Sequence, residues 1–240
     1  MIQASQFLSI GFIVLALLCA GLFVWAVAES AKRAGVTAGR RIAQIRNASA
    51  AAVIWMALTY GLADAGLLAF GPMPPRLPIV INIGFVLVFL TAFSRLGAQL
   101  IKLPFRWLIG FQSFRIFVEL LLHRAYVEGV MPVQMSFEGY NFDILSGITA
   151  LLLMLAAGRR PLGRRLILAW NFLGLVLLLT IIGIAVVSMP IEGIRLFNSE
   201  PANTWVTHAP FVWLPTVMVY MALLGHVLVF RKLRAERAAE

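Results

Sequence analysis

Four polar side chains are spaced along one face of an apolar stretch near the middle of the chain. Gln112, Arg115, Glu119 and His123 stand at i, i+3, i+7 and i+11, which puts all four on one stripe of an α-helix. The positions between them are mostly Phe, Ile and Leu. A guanidinium beside a carboxyl group and an imidazole has the chemistry to bind an anionic group, to exchange protons or to form a structural ion pair.

The composition of the chain indicates a membrane protein. Of its 240 residues, 61% are hydrophobic and 12% are charged, whereas soluble domains are about half apolar and a quarter charged. A single cysteine excludes an internal disulfide scaffold, and the low charge excludes a disordered chain. The net charge of +10 would indicate nucleic acid binding in a soluble protein, so the position of the basic residues decides its meaning.

Seven apolar stretches are long enough to cross a bilayer, whose core requires roughly 20 residues of helix. They lie at approximately 7–28, 50–70, 78–94, 105–126, 142–158, 166–189 and 209–230. The third and fifth are short, which is typical of a tilted or imperfect span. We predict an all-α membrane protein with a single transmembrane domain over residues 1–240.

The basic residues indicate the orientation of these spans, because cytoplasmic loops carry an excess of lysine and arginine. Sixteen of the 20 lie on one side: fifteen in the connections after the first, third and fifth stretches and in the tail after the seventh, and Arg106 at the start of the fourth stretch. The N-terminus is therefore predicted outside and the C-terminus in the cytoplasm. The positive charge then reflects orientation and attraction to an anionic inner leaflet, and we expect no nucleic acid partner.

Depth in the bilayer groups further polar residues with the stripe. Counted from an inner boundary near Phe105, Arg115 lies about 15 Å deep and Glu119 about 21 Å deep. Asp64, on the second stretch, is expected level with Glu119. Ionisable groups within a span face the bundle interior or a watery cavity. We predict an outward-facing ligand- or proton-binding site formed by Asp64, Gln112, Arg115, Glu119, His123 and Tyr220.

A purely structural interpretation competes with this site. Arg115 and Glu119, at i and i+4, can neutralise each other, and Asp64 can complete a buried triad that joins the second and fourth spans.

The long external connections supply candidates for the mouth of the site. Both are acidic and aromatic, with Pro and Gly marking turns. The outer-mouth candidates are Glu138, Asp143, Trp205 and His208. Asp143 also stands where the N-cap of the fifth span belongs, with Asn141 as the competing cap.

No metal, cofactor or catalytic residue is predicted. His208 and His226 are about 27 Å apart along one helix, so they cannot share an ion, and His226 is expected at the inner interface. Nucleotide-binding, C-x-x-C and H-E-x-x-H motifs are absent from the sequence. The last span contains no lysine, which excludes a retinal Schiff base.

Three segments carry a resemblance to known sequences: FEGYNFDIL, NSEPANTWV and LLGHVLVFRKL. They resemble stretches of uncharacterised bacterial multi-spanning membrane proteins, over the last half of the chain. The resemblance implies a bacterial inner membrane and supplies no activity.

The leading hypothesis is a small-solute or proton-linked transporter. Arg115 would hold an anionic group or tune its neighbours, while Glu119 and His123 would exchange protons with the outside. The alternative is a sensory, receptor-like or scaffold protein that binds a ligand or partner through its outer loops. An intramembrane enzyme is disfavoured, because no nucleophile and base are paired. The lipid bilayer is the expected partner, with the solute, coupling ion and oligomeric state left open.

Overall fold

The computed structural model describes residues 4–71 and 74–238. Across these ranges every regular element is helical. The α-helices are α1 (Gln6–Arg33), α2 (Ala38–Asp64), α3 (Arg76–Phe93), α4 (Arg95–Leu100), α5 (Phe105–Gly110), α6 (Phe114–Val127), α7 (Ile144–Ala157), α8 (Arg164–Val187) and α9 (Val219–Arg237). Short 3₁₀ turns occupy Phe111–Ser113, Val133–Met135 and Trp205–Thr207, and a π-helical turn, Leu214–Met218, leads into α9.

Four helices are long and apolar enough to cross a membrane, and the chain is accordingly an all-helical membrane protein. They are Gln6–Arg33, Arg76–Phe93, Arg164–Val187 and the continuous helix Leu214–Arg237. The other three predicted spans correspond to helices that are more polar, interrupted or shorter. The first turns of α2 carry arginines, the fourth span is divided between α5 and α6, and α7 has 14 residues.

A 3₁₀ turn at Phe111–Ser113 divides the predicted fourth span. The turn has about three residues per turn in place of 3.6, so it rotates the helix that follows relative to the one before. At the turn, the Gln112 side chain leaves the helix surface and donates from Nε2 to the carbonyl oxygen of Ala222, 3.0 Å away. The interruption therefore joins the α5–α6 segment to α9.

The last helix forms the centre of the bundle. Of its apolar window, 67% is buried, against 22–28% for the other three long helices. It packs against α3, α5 and α8, and the π-helical turn before it packs against α1 and α3. Any polar residue in the middle of α9 is consequently enclosed by protein.

The π-helical turn also anchors α2. A wider turn leaves backbone carbonyls free for other donors. The Trp55 indole donates to the carbonyl of Thr216 at 2.8 Å, and the Trp213 indole donates to the carbonyl of Met56 at 3.1 Å. These reciprocal bonds hold α2 to the start of the central helix.

Glu128, just beyond α6, joins the end of that helix to the start of α1. Its carboxylate accepts from the backbone N–H and the hydroxyl of Ser5, at 2.8 and 2.6 Å, and from Nε of Arg124 at 2.6 Å. Burial opposes ionisation, but the hydrogen bonds from Ser5 and Arg124 outweigh it and lower the pKa of Glu128. The ionised carboxylate therefore stabilises the fold.

We expect Glu128→Gln to lower Tm by a few degrees at neutral pH. A carboxylate with a lowered pKa stabilises the fold above its ordinary pKa of 4.5, and this contribution disappears as the pH falls through the lowered value. Thermal unfolding in detergent at pH 7 and at progressively lower pH measures the difference. A difference in Tm that grows on acidification would contradict this assignment.

Candidate functional site

A buried ion pair joins α6 to the start of α7. Arg115, 2% exposed, donates from Nε to Oδ2 of Asp143 at 2.7 Å and from Nη2 to Oδ1 of the same carboxylate. Asp143 is 5% exposed. A two-point pairing of this kind is the strongest form of a guanidinium–carboxylate interaction, and burial makes each charge dependent on the other.

The prediction that the Asp143 side chain caps α7 is wrong. Its backbone already has helical angles, with φ −67° and ψ −19°, and its carboxylate makes no capping hydrogen bond. A capping side chain normally starts from extended backbone. Asn141 makes the local bond instead, because its Oδ1 accepts the backbone N–H of Asp143 at 3.1 Å. The carboxylate of Asp143 is thereby left for Arg115.

His226 extends this pair into the central helix. It is fully buried and its Nε2 lies 2.9 Å from Nη1 of Arg115. Since arginine can only donate, Nε2 accepts and the proton is on Nδ1, which donates to Oδ1 of Asn171 at 2.9 Å. The Asn171 amide in turn donates to the His226 carbonyl. His226 is therefore a neutral imidazole within the core, and its expected place at the inner interface is incorrect.

Every donor of Arg115 has an acceptor. Besides Asp143 and His226, both terminal nitrogens lie 3.4 Å from the carbonyl oxygen of Gly174 on α8. A guanidinium has five N–H groups, and these acceptors account for all five. Arg115 is consequently unable to hold an anionic ligand without losing a partner. Its expected pairing with Glu119 is replaced by the pairing with Asp143.

Gly174 allows α8 to come this close. A Cβ atom at position 174 would lie 2.6 Å from Cε1 of His226, well inside contact distance. We expect Gly174→Ala to lower the unfolding free energy by about 1–3 kcal/mol, because the His226 ring or α8 must shift to make room for the methyl group. Unfolding in detergent measures the loss.

Gly183 on the same helix is the matched control for that substitution. A Cβ there meets no atom within 4 Å, so Gly183→Ala should be neutral or slightly stabilising. Equal effects of the two substitutions would show that the approach of α8 to His226 is not close.

Glu119 is the second buried carboxyl group of the cluster. It is 1% exposed, and both of its oxygens accept from Nδ2 of Asn141, at 2.9 and 2.8 Å. That nitrogen also donates to the carbonyl of Met135 at 3.0 Å. Within residues 4–71 and 74–238, no lysine or arginine donates to this carboxyl group. Because the amide has two hydrogens for three acceptors, Glu119 keeps unused accepting capacity.

A cavity of about 450 Å³ lies against this cluster. It is bounded by α3, α6, α8 and the start of the central helix, and Arg115, Glu119 and Asp143 are its charged lining residues. Residues from the α2–α3, α6–α7 and α8–α9 connections also line it. The cavity therefore lies towards the end of the bundle where those three connections meet, which is the end predicted to face outside.

One further polar residue lines the cavity with an unused atom. Asn203 is fully buried and donates from Nδ2 to the carbonyl of Ala185 at 2.9 Å. This bond settles the orientation of the amide, because only the nitrogen can donate. Its Oδ1 is buried and has no hydrogen-bond partner in the described part of the chain. Asn203 thus lines the same cavity as the carboxyl groups and has one acceptor without a partner.

The remaining predicted site residues lie outside the ion-pair cluster. Gln112 bonds to the central helix, and Tyr220 donates to the carbonyl of Ile81 at 3.0 Å, which joins α9 to α3. Asp64, expected beside Glu119, is exposed at the end of α2. It is separated from the cluster because α2 packs on α1 at the edge of the bundle.

The outer-mouth candidates are dispersed. His123, from the polar stripe, turns away from Arg115: its Nδ1 lies 3.4 Å from Oε1 of Glu138, and its ring stacks on Phe137 at 4.5 Å. His208 is exposed and bonds locally to Thr207. Trp205 is fully buried. Its ring packs against Phe12 and Phe211. Trp205 is therefore a core residue and does not lie at an opening.

Sequence reasoning missed Asn171, Asn203 and Gly174 as members of the site, and it did not pair Asn141 with Glu119. One signal was present for Asn171, because a lone amide in the apolar run of α8 must find a partner inside the bundle. Asn203 and Gly174 had no comparable signal, since their roles depend on which helices meet.

Comparison with other proteins yields a family and no activity. No curated protein matches the chain significantly. No solved structure matches it either. Residues 74–234, which include every member of the buried cluster, match DUF8737, a domain of unknown function. Because the match covers about two thirds of the chain, the protein belongs to the DUF8737 family.

Proposed function

We propose that the protein is a proton-linked transporter of a small solute in the bacterial inner membrane. In this proposal the chain crosses the bilayer seven times, with α5 and α6 forming one interrupted crossing. The N-terminus is outside and the C-terminus is cytoplasmic. The distribution of the basic residues supports the orientation, and the resemblance of the C-terminal segments to bacterial membrane proteins supports the location.

The observation that carries the transport proposal is the state of Glu119. It is a buried carboxyl group beside a cavity, and no arginine or lysine in the described ranges donates to it. An ionised group in such a place needs a cation or a proton. A carboxyl group that binds a cation and a proton in turn can link the movement of the two, as proton-linked transport requires.

The ion-pair cluster has a supporting role in this mechanism. Arg115 and Asp143 neutralise each other, and His226 is neutral, so the three together carry no net charge. Glu119 is left as the one charge of the cluster that can change. Arg115 does not bind the anionic group of a solute in this mechanism, because all its donors are occupied.

Proton movement into proteoliposomes tests the proposal. The lumen contains a pH-sensitive dye, and a potassium gradient with valinomycin imposes an inside-negative potential. No solute is supplied, so the dye reports uncoupled proton entry through the transporter. We expect acidification of the lumen that Glu119→Gln reduces by about tenfold or more, because the amide cannot release a proton.

Glu192→Gln is the matched control, since Glu192 is an exposed carboxyl group on the α8–α9 connection. It should leave the proton flux unchanged. Equal fluxes through the unsubstituted protein and Glu119→Gln would overturn the transport proposal.

A further inference from the structure

We infer that the cavity binds an amphiphilic organic cation, in which a primary ammonium group lies at Glu119 and a hydrophobic body fills the apolar part. This inference names the solute class of the site proposed above and rests on that proposed function. The hydrogen-bonding groups of the lining, its charge, its apolar wall and the position of its opening each support it.

Each side-chain nitrogen in the described lining already donates at least one hydrogen bond, and the buried lining atom that lacks a partner is an acceptor. The Arg115 donors are all engaged, and the side-chain nitrogens of Asn203 and Asn82 donate to the backbone carbonyls of Ala185 and Pro78. The Glu119 carboxyl group and Oδ1 of Asn203 retain accepting capacity. A ligand that completes this site therefore brings hydrogen-bond donors. An ammonium group has three donors and no acceptor, which matches this lining.

Charge leads to the same class of ligand. The Arg115–Asp143 pair is neutral and His226 is neutral, so an ionised Glu119 gives the lining one net negative charge. An anionic head group would be repelled by the ionised Glu119, and the Arg115 donors that could bind it are already engaged. A bare metal ion is also a poor fit, because in the residues that the structure describes no three His, Cys, Asp or Glu side chains are grouped to hold one.

The rest of the wall selects a hydrophobic body. Phe85, Leu178, Ile181, Ile182 and Val219 are among the lining residues, and they come from α3, α8 and α9. The volume of about 450 Å³ lies in the range of pockets that enclose drug-sized ligands. A small hydrated ion would leave most of this apolar surface unused.

The opening of the cavity lies between α3 and α8. Among the described lining residues three are exposed: Asn82 on α3, Val186 on α8 and Ile194 on the connection after it. Val186 and Ile194 are 39% and 40% exposed. Both α3 and α8 pack against the central helix, and both qualify as membrane-spanning. An amphiphile dissolved in the outer half of the bilayer would reach the site through this gap.

Direct binding to the protein in nanodiscs tests the inference. The probes are octylammonium, octanol and octanoate, which share one chain and differ in charge. Titration calorimetry against protein-free nanodiscs removes the contribution of partitioning into lipid. We expect octylammonium to bind about tenfold or more tightly than either other probe, because it alone pairs with Glu119.

Three substitutions show where the probe lies. Glu119→Gln should weaken the binding of octylammonium about thirtyfold, because the carboxylate that pairs with the ammonium group is lost. Ile182→Trp should abolish binding by filling the cavity, whereas Leu179→Trp, on the lipid-exposed side of α8, should not change it. Asn203→Leu should weaken the binding of octylammonium severalfold and leave the weaker binding of octanol unchanged.

Each outcome bears on the inference separately from the transport proposal. Tighter binding of octanoate, or equal binding of octanol and octylammonium, would overturn the inference. So would undiminished binding by Ile182→Trp. A proton flux that depends on Glu119 without octylammonium binding would overturn the inference and leave the transport proposal standing. Octylammonium binding without any proton flux would overturn the transport proposal and leave the inference standing. It would favour a receptor.

Discussion

Replacing Asp143 with leucine should lower the unfolding free energy of the protein by about 3–5 kcal/mol. The substitution leaves the Arg115 guanidinium buried without its counterion, and no other carboxylate accepts from it in the ranges described. A charge of this kind costs far more than the ion pair contributes, because the pair itself is offset by desolvation. Reversible unfolding in mixed detergent micelles measures the loss.

The double substitution Arg115→Met with Asp143→Leu isolates the charge as the cause. It removes both charges and retains apolar volume, so it should recover at least about 2 kcal/mol of the loss. Recovery stays incomplete, because Nε2 of His226 and the carbonyl of Gly174 then lack a donor. Additive losses in the two single variants and the double variant would show that the residues do not form a pair.

The pairing of Arg115 shows what spacing predicts and what it leaves open. Helical periodicity places Arg115 and Glu119 on one face, and the structure puts both against the same cavity. Periodicity also suggests that the two residues pair with each other. The partner comes instead from a residue 28 positions further along the chain, and only the packing of α6 against α7 brings it within reach.

The position of His226 illustrates a second limit. Its distance along the chain from His208 suggested a site at the inner interface. The last helix, however, runs for 24 residues from Leu214 to Arg237, and His226 stands at its middle. Composition identifies this helix as a candidate span, but it cannot reveal that the other helices surround it. That enclosure is what turns an interfacial histidine into a buried one.

The sequence predicts where helices form better than it predicts the number and continuity of the spans. Each of the seven predicted stretches overlaps helix, because runs of apolar residues require internally satisfied backbone. Four of them meet the length and composition expected of a membrane-crossing helix. The composition did not indicate the break at Gln112. The hydrogen bond that accompanies this break runs from the Gln112 side chain to Ala222 on α9, and composition cannot reveal such a distant partner.

Asn141→Asp should lower the unfolding free energy by about 2–4 kcal/mol at neutral pH, although it hardly alters the shape of the side chain. The native amide is the donor to both oxygens of Glu119 and to the carbonyl of Met135. A carboxylate at position 141 cannot donate to them, and it repels Glu119 in a buried site. Unfolding in the same mixed micelles measures the loss.

The matched control is Asn198→Asp, at an exposed asparagine, which should change the unfolding free energy by less than about 0.5 kcal/mol. Adding Glu119→Gln to Asn141→Asp exchanges the two groups: the new amide at position 119 donates to the new carboxylate at position 141, and the net charge returns to that of the native pair. Most of the lost stability should return, except for the bond to Met135. Because the exchange restores stability but leaves no carboxyl group at position 119, it should not restore the proton flux. A double variant that regained both would mean that the carboxyl group is needed for folding alone, and that its position beside the cavity is immaterial to transport.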